Sequence, residues 1–524
     1  MISIKTSVSS LINAFKRPIY GLPVDMFRVL VGFLCCAYFL RTFFETEDFS
    51  NMNGLIDHEY ARQIFWYTKL SLFQLGTSLI FFKIIFLLAS LLSLMIVLGY
   101  RVKLIAGILF SIAVSTYRWN FMVMYIDDVI MHLMIFWILL LPVGRTLVFS
   151  EWLVDKQNCW ERWKYEVVPG TAVRCFLINL ALIYLVAGLW KFTSPMWHDG
   201  TALYAVLKLP ISHHPQFWRN EYLPILKFAN YFALVLEPLI PLMFILPTNH
   251  ILKWVLLIGL LGFHVGIIST LKIPYANIAC IAATVIIFRN ELMGIIHKYT
   301  IYPQRLSIPC SFDLYGKLSL IFVTFLTLAM IGEVFMPEWR YPSRVDNYKS
   351  SKIHLDHQKL NANGAPPDNH VNDILGTVRN PMHLPLWMVG IGQSYQLFDW
   401  IDERNFYVNY DVTEKNSEGK IHNINPNEFF PDSIRGILLQ SYIHGVTWMK
   451  IPYSMSDELR RRLYTRFARR YCNNRKNYNT DYIDIYATVQ RITGNNANLI
   501  VGERELLMQF SCQNSRSQLF YIHD

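Results

Sequence analysis

The feature that most constrains the fold is the recurrence of apolar stretches in the first two thirds of the 524-residue chain. Several reach about 18 residues, the length that a helix needs to cross the hydrocarbon core of a bilayer. Charged residues make up only 16% of the chain, against about 25% in an average soluble domain. The sequence therefore predicts an all-α polytopic membrane domain. The polar start, Met1–Gly21, predicts that the first apolar run is retained as a span.

Hydropathy predicts about nine transmembrane helices. They lie near residues 25–44, 77–99, 103–118, 121–143, 172–193, 224–247, 251–271, 273–288 and 316–336. Lysines and arginines concentrate before the first span and in every second connection, which predicts a cytoplasmic N-terminus. An odd number of spans then places the C-terminal tail in the periplasm, outside the cell or in a lumen. The third and eighth segments are short, and a re-entrant segment at either position would reverse everything after it.

The sequence divides into a predicted transmembrane domain, a linker and a small extracytoplasmic α+β domain. Their bounds are residues 1–336, 337–385 and 386–524. The linker is rich in proline, asparagine and histidine, which is typical of an irregular connection.

Within the tail, the alternation in Phe406–Val412 and Tyr482–Val489 predicts two strands. The arginine-rich segment Ser456–Cys472 repeats apolar residues every three or four positions, which predicts a helix. Cys472 and Cys512 could form a disulfide if the tail faces an oxidising compartment.

The net charge and the spacing of the cysteines narrow the classes of function that the chain can have. A net charge of +10 is consistent with the anionic headgroups of a lipid bilayer, and no nucleic-acid-binding pattern is present. The eight cysteines show no CxxC spacing. No metal is therefore expected as a cofactor.

Lys191 is the most unusual polar residue, because it closes the apolar run Cys175–Trp190. A charged lysine inside a bilayer costs about 2.5–3.5 kcal/mol on insertion scales. Snorkelling, pairing or loss of the proton avoids that cost. A deprotonated lysine is a strong base, so Lys191 is the candidate catalytic residue.

Other ionisable residues lie in the predicted spans. They are Asp127 and Asp128, His132 one turn later, Glu237 and His264. The predicted topology places the two aspartates at the membrane depth of Lys191. We therefore expect them to pair with the lysine and tune it, as catalytic partners. Glu237, His264 and His132 are expected to form a second layer.

Each of these residues also has an ordinary structural interpretation. Lys191 can snorkel to the interface, and the aspartates can pair with an arginine of the preceding loop. Glu237 can brace a helix that proline interrupts. His264 can make a hydrogen bond between helices. His132 can pack among apolar side chains.

Six short motifs follow one another along the chain. They are Asp25-x-x-Arg28, Asp127-Asp128, Ala187-Gly-Leu-Trp-Lys191, Trp197-x-Asp-Gly200, Glu237-Pro238 and Phe263-His264. Their order resembles the HTTM membrane domain that vitamin K-dependent gamma-carboxylases share with many bacterial proteins. The resemblance covers about residues 15–336. The tail is more loosely similar to the outer domain of bacterial members, through Gln393-x-x-x-Leu-Phe398 and the arginine-rich helix.

The resemblance implies a chemistry for this lysine. In the carboxylases a lysine in an Ala-Gly-x-x-Lys stretch is the base that acts on reduced vitamin K. A glutamate side chain of the substrate then loses a proton and captures carbon dioxide. Lys191 is the matching position, and Trp190 and Trp197 beside it are expected to bind the quinone. The resemblance thus implies a reduced isoprenoid quinone, of the vitamin K or menaquinone type, and an extracytoplasmic peptide or protein substrate.

One departure from the family bears on this chemistry. The carboxylases carry an Asn-His pair where this chain has Asp127-Asp128. An ionised aspartate would hold Lys191 protonated, unless the adjacent carboxylates share a proton. Two other functions therefore stay open: a non-enzymatic membrane partner in the maturation or export of a secreted peptide, and a proton-coupled carrier.

Overall fold

The structure of the chain is a computed structural model that describes most of the membrane domain and parts of the tail. The described residues are 13–50, 54–55, 70–119, 124–192, 194–298, 313–335, 386, 388–391, 406–416, 418–425, 429–431, 433–437, 457–474, 480–493 and 497–519. The predicted linker, residues 337–385, and the motif at 393–398 lie outside them.

The membrane domain is built from apolar helices joined by short helical connections. In chain order the helices are α1 (Gly21–Phe49), α2 (Leu79–Leu98), α3 (Val102–Trp119), α4 (Ile126–Leu140), α5 (Phe149–Val154), α6 (Lys156–Tyr165), α7 (Thr171–Lys191), α8 (Pro195–Asp199), α9 (Ala202–Lys208), α10 (Leu223–Leu239), α11 (Ile251–Thr270), α12 (Pro274–Ile287), α13 (Arg289–Lys298) and α14 (Leu314–Phe335). A short ladder joins β1 (Ile19–Tyr20) to β2 (Val167–Val168).

Six helices in the described part of the chain are long and apolar enough to cross a membrane. A seventh span results if α12 and α13, which bend by 54° where they meet, count as one. Large apolar side chains such as Phe44, Ile80 and Ile258 are exposed on the outside of the bundle. Such a surface fits lipid and not water. The prediction of a multi-pass α-helical membrane protein is confirmed at this level.

Local sequence signals set the ends of α2. The helix begins where the Ser78 hydroxyl accepts a hydrogen bond from the Phe81 backbone N–H at 3.2 Å. It ends at Gly99, whose φ of +79° is a left-handed conformation that favours glycine. A side chain at Gly99 would also meet the Leu147 carbonyl oxygen at 3.1 Å. Glycine therefore serves both the helix end and the close packing of the next connection.

Asp25 and Arg28 tie three segments together at one end of the bundle, and both are fully buried. The Asp25 carboxylate accepts hydrogen bonds from the backbone N–H groups of Gly144 (2.6 Å) and Thr146 (2.7 Å), after the end of α4. Arg28 Nε donates to Asp25 at 2.8 Å. The Arg28 guanidinium also donates to the Val97 carbonyl oxygen at 2.9 Å, at the end of α2. One ion pair thus holds α1, α2 and α4 in register.

The described part of the tail contains a five-stranded antiparallel sheet in the order β4-β3-β5-β6-β7. The strands are β3 (Phe406–Asn416), β4 (Ile421–Ile424), β5 (Thr480–Thr493), β6 (Asn498–Ser511) and β7 (Arg516–Leu519). Helix α15 (Asp457–Asn474) packs on this sheet through Leu463 and Phe467. Both predicted strands and the predicted helix are therefore confirmed. Cys472 and Cys512 form a disulfide that joins the helix to the residue directly after β6.

A short stretch that the sequence assigned to the tail packs inside the membrane domain. Leu386 and Ile391 belong to the apolar core of the bundle. The Met388 carbonyl oxygen accepts a hydrogen bond from Arg118 Nε at 3.0 Å. Gly390 has a φ of +67°, and a Cβ there would lie 2.9 Å from a ring nitrogen of His132. The tail is thus anchored in the bundle by backbone as well as by side chains.

The Asp25–Arg28 pair yields a test of the bundle. We expect Asp25→Ala to lower the free energy of unfolding by about 3–5 kcal/mol, because it leaves the buried Arg28 charge without its counter-charge. Glu151→Ala is the matched control, since it removes an exposed partner of Arg162 and should cost at most about 1 kcal/mol. Thermal unfolding of the purified protein in detergent measures both. Equal midpoints for the two variants would contradict the anchor.

Candidate functional site

Lys191 and Glu237 form a buried ion pair between α7 and α10. Lys191 Nζ donates to Glu237 Oε1 at 2.5 Å and also contacts Oε2. The two residues are only 5% and 2% exposed. The chain therefore solves the problem of a lysine in the bilayer by pairing it, and the partner is a residue that the sequence had placed in a second layer.

The motif that contains Lys191 brings the two helices close enough for this pair. A Cβ built on Gly188 would lie 2.7 Å from Pro238 Cδ, so only glycine fits there. Gly188 precedes Lys191 by one turn of α7, and Pro238 directly follows Glu237. Proline also leaves the α10 backbone without one N–H donor, and the chain continues from α10 as a 3-10 turn, Ile240–Phe244.

Trp197 covers the lysine amine. Its ring centroid lies 5.2 Å from Lys191 Nζ, a cation–π distance. Asn230 on α10 fixes the position of α8, because its Nδ2 donates to the Trp197 carbonyl oxygen at 2.9 Å. Trp190, which precedes the lysine, packs against the core of the bundle. The amine therefore contacts one aromatic ring and one carboxylate.

His264 belongs to a second buried network beside this pair. Its Nδ1 lies 2.7 Å from Asn277 Oδ1, and its Nε2 lies 2.7 Å from the Tyr184 hydroxyl. Asn277 Nδ2 donates to the Ile273 carbonyl oxygen, so Oδ1 is the acceptor. His264 consequently donates through Nδ1, and its Nε2 shares the second hydrogen bond with the Tyr184 hydroxyl. Tyr184, two turns before Lys191 on α7, also interacts electrostatically with Glu237.

Asp128 binds the tail, and this corrects the expectation that it pairs with Lys191. Its Oδ1 lies 2.7 Å from Arg435 Nη2 and its Oδ2 lies 3.1 Å from Nη1. The Tyr38 hydroxyl donates to the same carboxylate at 2.5 Å. Arg435 Nε also donates to Glu45 Oε2 at 2.8 Å. The planar guanidinium meets two carboxylates at once, a geometry that an ammonium group does not offer.

Asp127 faces a different helix from Asp128. Its Oδ1 accepts a hydrogen bond from the Ala276 backbone N–H at 2.8 Å, in the first turn of α12. A carboxylate is favourable there because the helix dipole is positive at its N-terminus. Asp127 Oδ2 has no hydrogen-bond partner among the residues that the structure describes. The expected contact of Asp127 with Lys191 is therefore replaced by a helix-capping contact.

His132 contacts the tail as well. Its Nδ1 lies 3.2 Å from the Gly390 carbonyl oxygen, and its ring meets that of Tyr38 edge-on. Asp128 and His132, one turn apart on α4, thus bind two segments of the tail, at Arg435 and at Gly390. The sequence had grouped both with the lysine, and the structure divides them from it.

Arg435 is the main residue that the sequence did not single out. It is almost fully buried. Burial lowers the pKa of Arg435, but the carboxylates of Asp128 and Glu45 outweigh it and hold that pKa well above the ordinary value. Arg435 lies in Ser433-Ile-Arg-Gly436, which carries no motif or periodicity. The only available signal was indirect: a buried aspartate on α4 requires a cation.

Within the described ranges, no group of three or more histidine, cysteine, aspartate or glutamate side chains is placed to hold a metal ion. The site contains an amine, a carboxylate, a phenol and an imidazole. An amine that touches a carboxylate in apolar surroundings can exchange a proton with it. This exchange converts the ammonium group into an uncharged amine, which is the form that can act as a base.

The close approach of α7 and α10 can be tested at Gly188. We expect Gly188→Ala to destabilise the protein by about 1–3 kcal/mol, because the new methyl group overlaps Pro238 and forces the helices apart. Gly262→Ala on α11 is the matched control, since a Cβ there meets nothing within 4 Å. This control should be neutral or stabilising by up to about 1 kcal/mol. Thermal midpoints in detergent decide, and equal losses would argue against the contact.

The docking of the tail can be tested at Arg435. We expect Arg435→Ala to release the tail, since it leaves Asp128 and Glu45 buried without a cation. The rate at which trypsin cleaves the tail of the native protein should rise at least about tenfold, as a loss of more than 1.4 kcal/mol implies. Arg504→Ala removes an exposed arginine paired with Asp411 and should leave the rate unchanged. A rate that stays the same in the Arg435 variant would disprove the docking role.

The chain matches no protein-family model, no curated protein and no solved structure. The resemblance to the HTTM domain accordingly stays a prediction that depends on the order of the motifs. The contacts of Lys191 and Glu237 are the basis on which a function is proposed for the site.

Proposed function

We propose that the chain is a membrane enzyme in which Lys191 acts as a base on a reduced isoprenoid quinone, in a carboxylase-like reaction that modifies an extracytoplasmic peptide or protein. The observation that carries the proposal is the direct contact of Lys191 Nζ with the Glu237 carboxylate, buried under Trp197. An amine in such a site needs a way to become a free base, and the carboxylate provides one.

The proposed role of Glu237 follows from charge balance. An ammonium and a carboxylate buried together carry no net charge, and the same is true of an amine and a carboxylic acid. Burial disfavours both charged forms, so it reduces the advantage of the ion pair over the uncharged pair. When Glu237 holds the proton, Lys191 Nζ has a lone pair that can accept another. Glu237 would thus do what the sequence had assigned to Asp127 and Asp128.

The residues around the amine suit a quinone in their chemistry. Trp197 covers the Lys191 amine with an aromatic ring, and Trp190, its neighbour in the sequence, offers a second apolar side chain. A bound reduced quinone would supply weakly acidic hydroxyl groups and the electrons for a reaction with oxygen. Trp197 would orient the amine by its cation–π contact and keep water from it. His264 and Tyr184 would hold α7 and α11 together through their hydrogen bond.

The proposed topology has nine spans, a cytoplasmic N-terminus and a tail outside the cytoplasm. Helix α4 supports this count although it is short. It begins beside the first turn of α12, through Asp127, and ends beside the turn that Asp25 binds, so it passes from one end of the bundle to the other. The Cys472–Cys512 disulfide supports the location of the tail, because disulfides persist in oxidising compartments.

The proposal is tested by Lys191→Ala with Lys253→Ala as the matched control. Lys253 forms a similar buried pair, with its Nζ 2.5 Å from Glu291 Oε1 and 4.7 Å from the ring centroid of Phe288. The protein in lipid nanodiscs is given reduced menaquinone under air, and quinol consumption is followed by chromatography. We expect Lys191→Ala to lower the rate at least about 100-fold, the effect of losing a general base. Lys253→Ala should retain the rate per folded molecule.

A second readout separates chemistry from stability. Both variants should lose a similar amount of thermal stability, since each leaves a glutamate buried alone. Reduced menaquinone should raise the thermal midpoint of the unsubstituted protein and of Lys253→Ala. If neither midpoint responds and the unsubstituted protein consumes no quinol, the pair is an electrostatic clamp. A non-enzymatic partner of a secreted peptide would then be the better interpretation.

A further inference from the structure

The turn end of the β5–β6 hairpin lies against the membrane domain. Ile492, near the end of β5, and Ala497, directly before β6, are buried. They share one apolar cluster with Trp197, Leu226 and Leu271 of the bundle. The hairpin therefore meets the bundle at the end where α7 finishes and α10 begins.

After Asn498, the next three residues of β6 are apolar on both faces of the strand. Leu499, Ile500 and Val501 are 44%, 53% and 54% exposed. Consecutive side chains of a strand point to opposite faces. A sheet with one face in water alternates apolar and polar residues, and this segment does not. Both faces of the strand are thus suited to an apolar medium.

The apolar character ends abruptly as β6 leaves the bundle. After Val501 the strand continues as Gly-Glu-Arg-Glu505, and Glu503 and Arg504 are exposed. Strand residues are spaced by about 3.3 Å, so Leu499 is roughly 7 Å from the buried Ala497 and Arg504 is roughly 23 Å from it. The change from apolar to charged residues therefore follows the distance from the membrane domain.

The surface of the bundle beside the hairpin is also apolar. Leu226 belongs to the cluster that holds the hairpin, whereas Ile225 and Phe228 in the same turns of α10 are largely exposed. Exposed apolar side chains on a membrane-crossing helix face lipid. The hairpin end thus lies at the level of a lipid-facing turn of α10.

The geometry points to a lipid anchor: Leu499, Ile500 and Val501 insert into the leaflet that surrounds this end of the bundle. The occupant of the surface is the acyl-chain region of the bilayer. Glu503 and Arg504 lie at the level of the headgroups and water. The anchor acts together with Arg435, because one fixes the tail to the bundle and the other fixes it to the membrane. It does not depend on the reaction proposed for Lys191.

The test places an environment-sensitive nitrobenzoxadiazole probe on the full-length protein in phosphatidylcholine nanodiscs. Ile500→Cys carries the probe at the proposed anchor. Arg504→Cys is the control, four residues farther along the strand, beyond a register shift in the β5–β6 pairing. We expect blue-shifted emission and strong quenching by doxyl-labelled lipid at residue 500, and quenching by aqueous iodide at residue 504. The unsubstituted protein gives the background from its own cysteines, and unchanged thermal midpoints show that both variants are folded.

Two results would overturn the anchor. In one, iodide quenches the probe at residue 500 as strongly as the probe at residue 504, which means that the segment is in water. In the other, the probe at residue 500 is shielded from both lipid and iodide quenchers. That result indicates a protein partner, such as an extended peptide that pairs with the edge of β6.

Discussion

A charge inside an apolar bundle has to meet an opposite charge, and this requirement determines how the described helices and the tail are joined. Asp25 with Arg28 aligns α1 with the ends of α2 and α4. Lys191 with Glu237 joins α7 to α10. Arg435 joins the tail to α1 and α4 through two carboxylates. Breaking any such pair leaves a buried charge alone, which costs several kcal/mol. The polar minority of the chain thus specifies an arrangement that apolar side chains alone would leave open.

Much of the fold could be predicted because hydropathy acts over long segments. Apolar runs of membrane-crossing length identify helices whatever their neighbours are, and alternation identified β3 and β5 in the tail. The insertion of Gly390 into the bundle could not be predicted in this way. It depends on one left-handed residue that fits against His132, and such a contact between distant parts of a chain leaves no periodic trace.

The site was only partly predictable, and the reason is geometric. Hydropathy gives the depth of a residue in the membrane, but not the direction in which it faces around the helix axis. Asp127, Asp128 and Lys191 were therefore grouped by depth. Glu237 was placed in a second layer, yet the long lysine side chain and the close approach of Gly188 to Pro238 bring it within 2.5 Å of the amine. The partner of Lys191 was thus decided by helix packing.

The insertion of Gly390 and Arg435 has a consequence for the evolution of such a chain. A protein that ended after α14 would keep its apolar helices, but it would leave Asp128 and Glu45 without their cation and His132 without its backbone partner. The tail is thus not an accessory module that recombination could exchange freely. Any replacement would have to bring a guanidinium to the same place, so the two regions are expected to be inherited together.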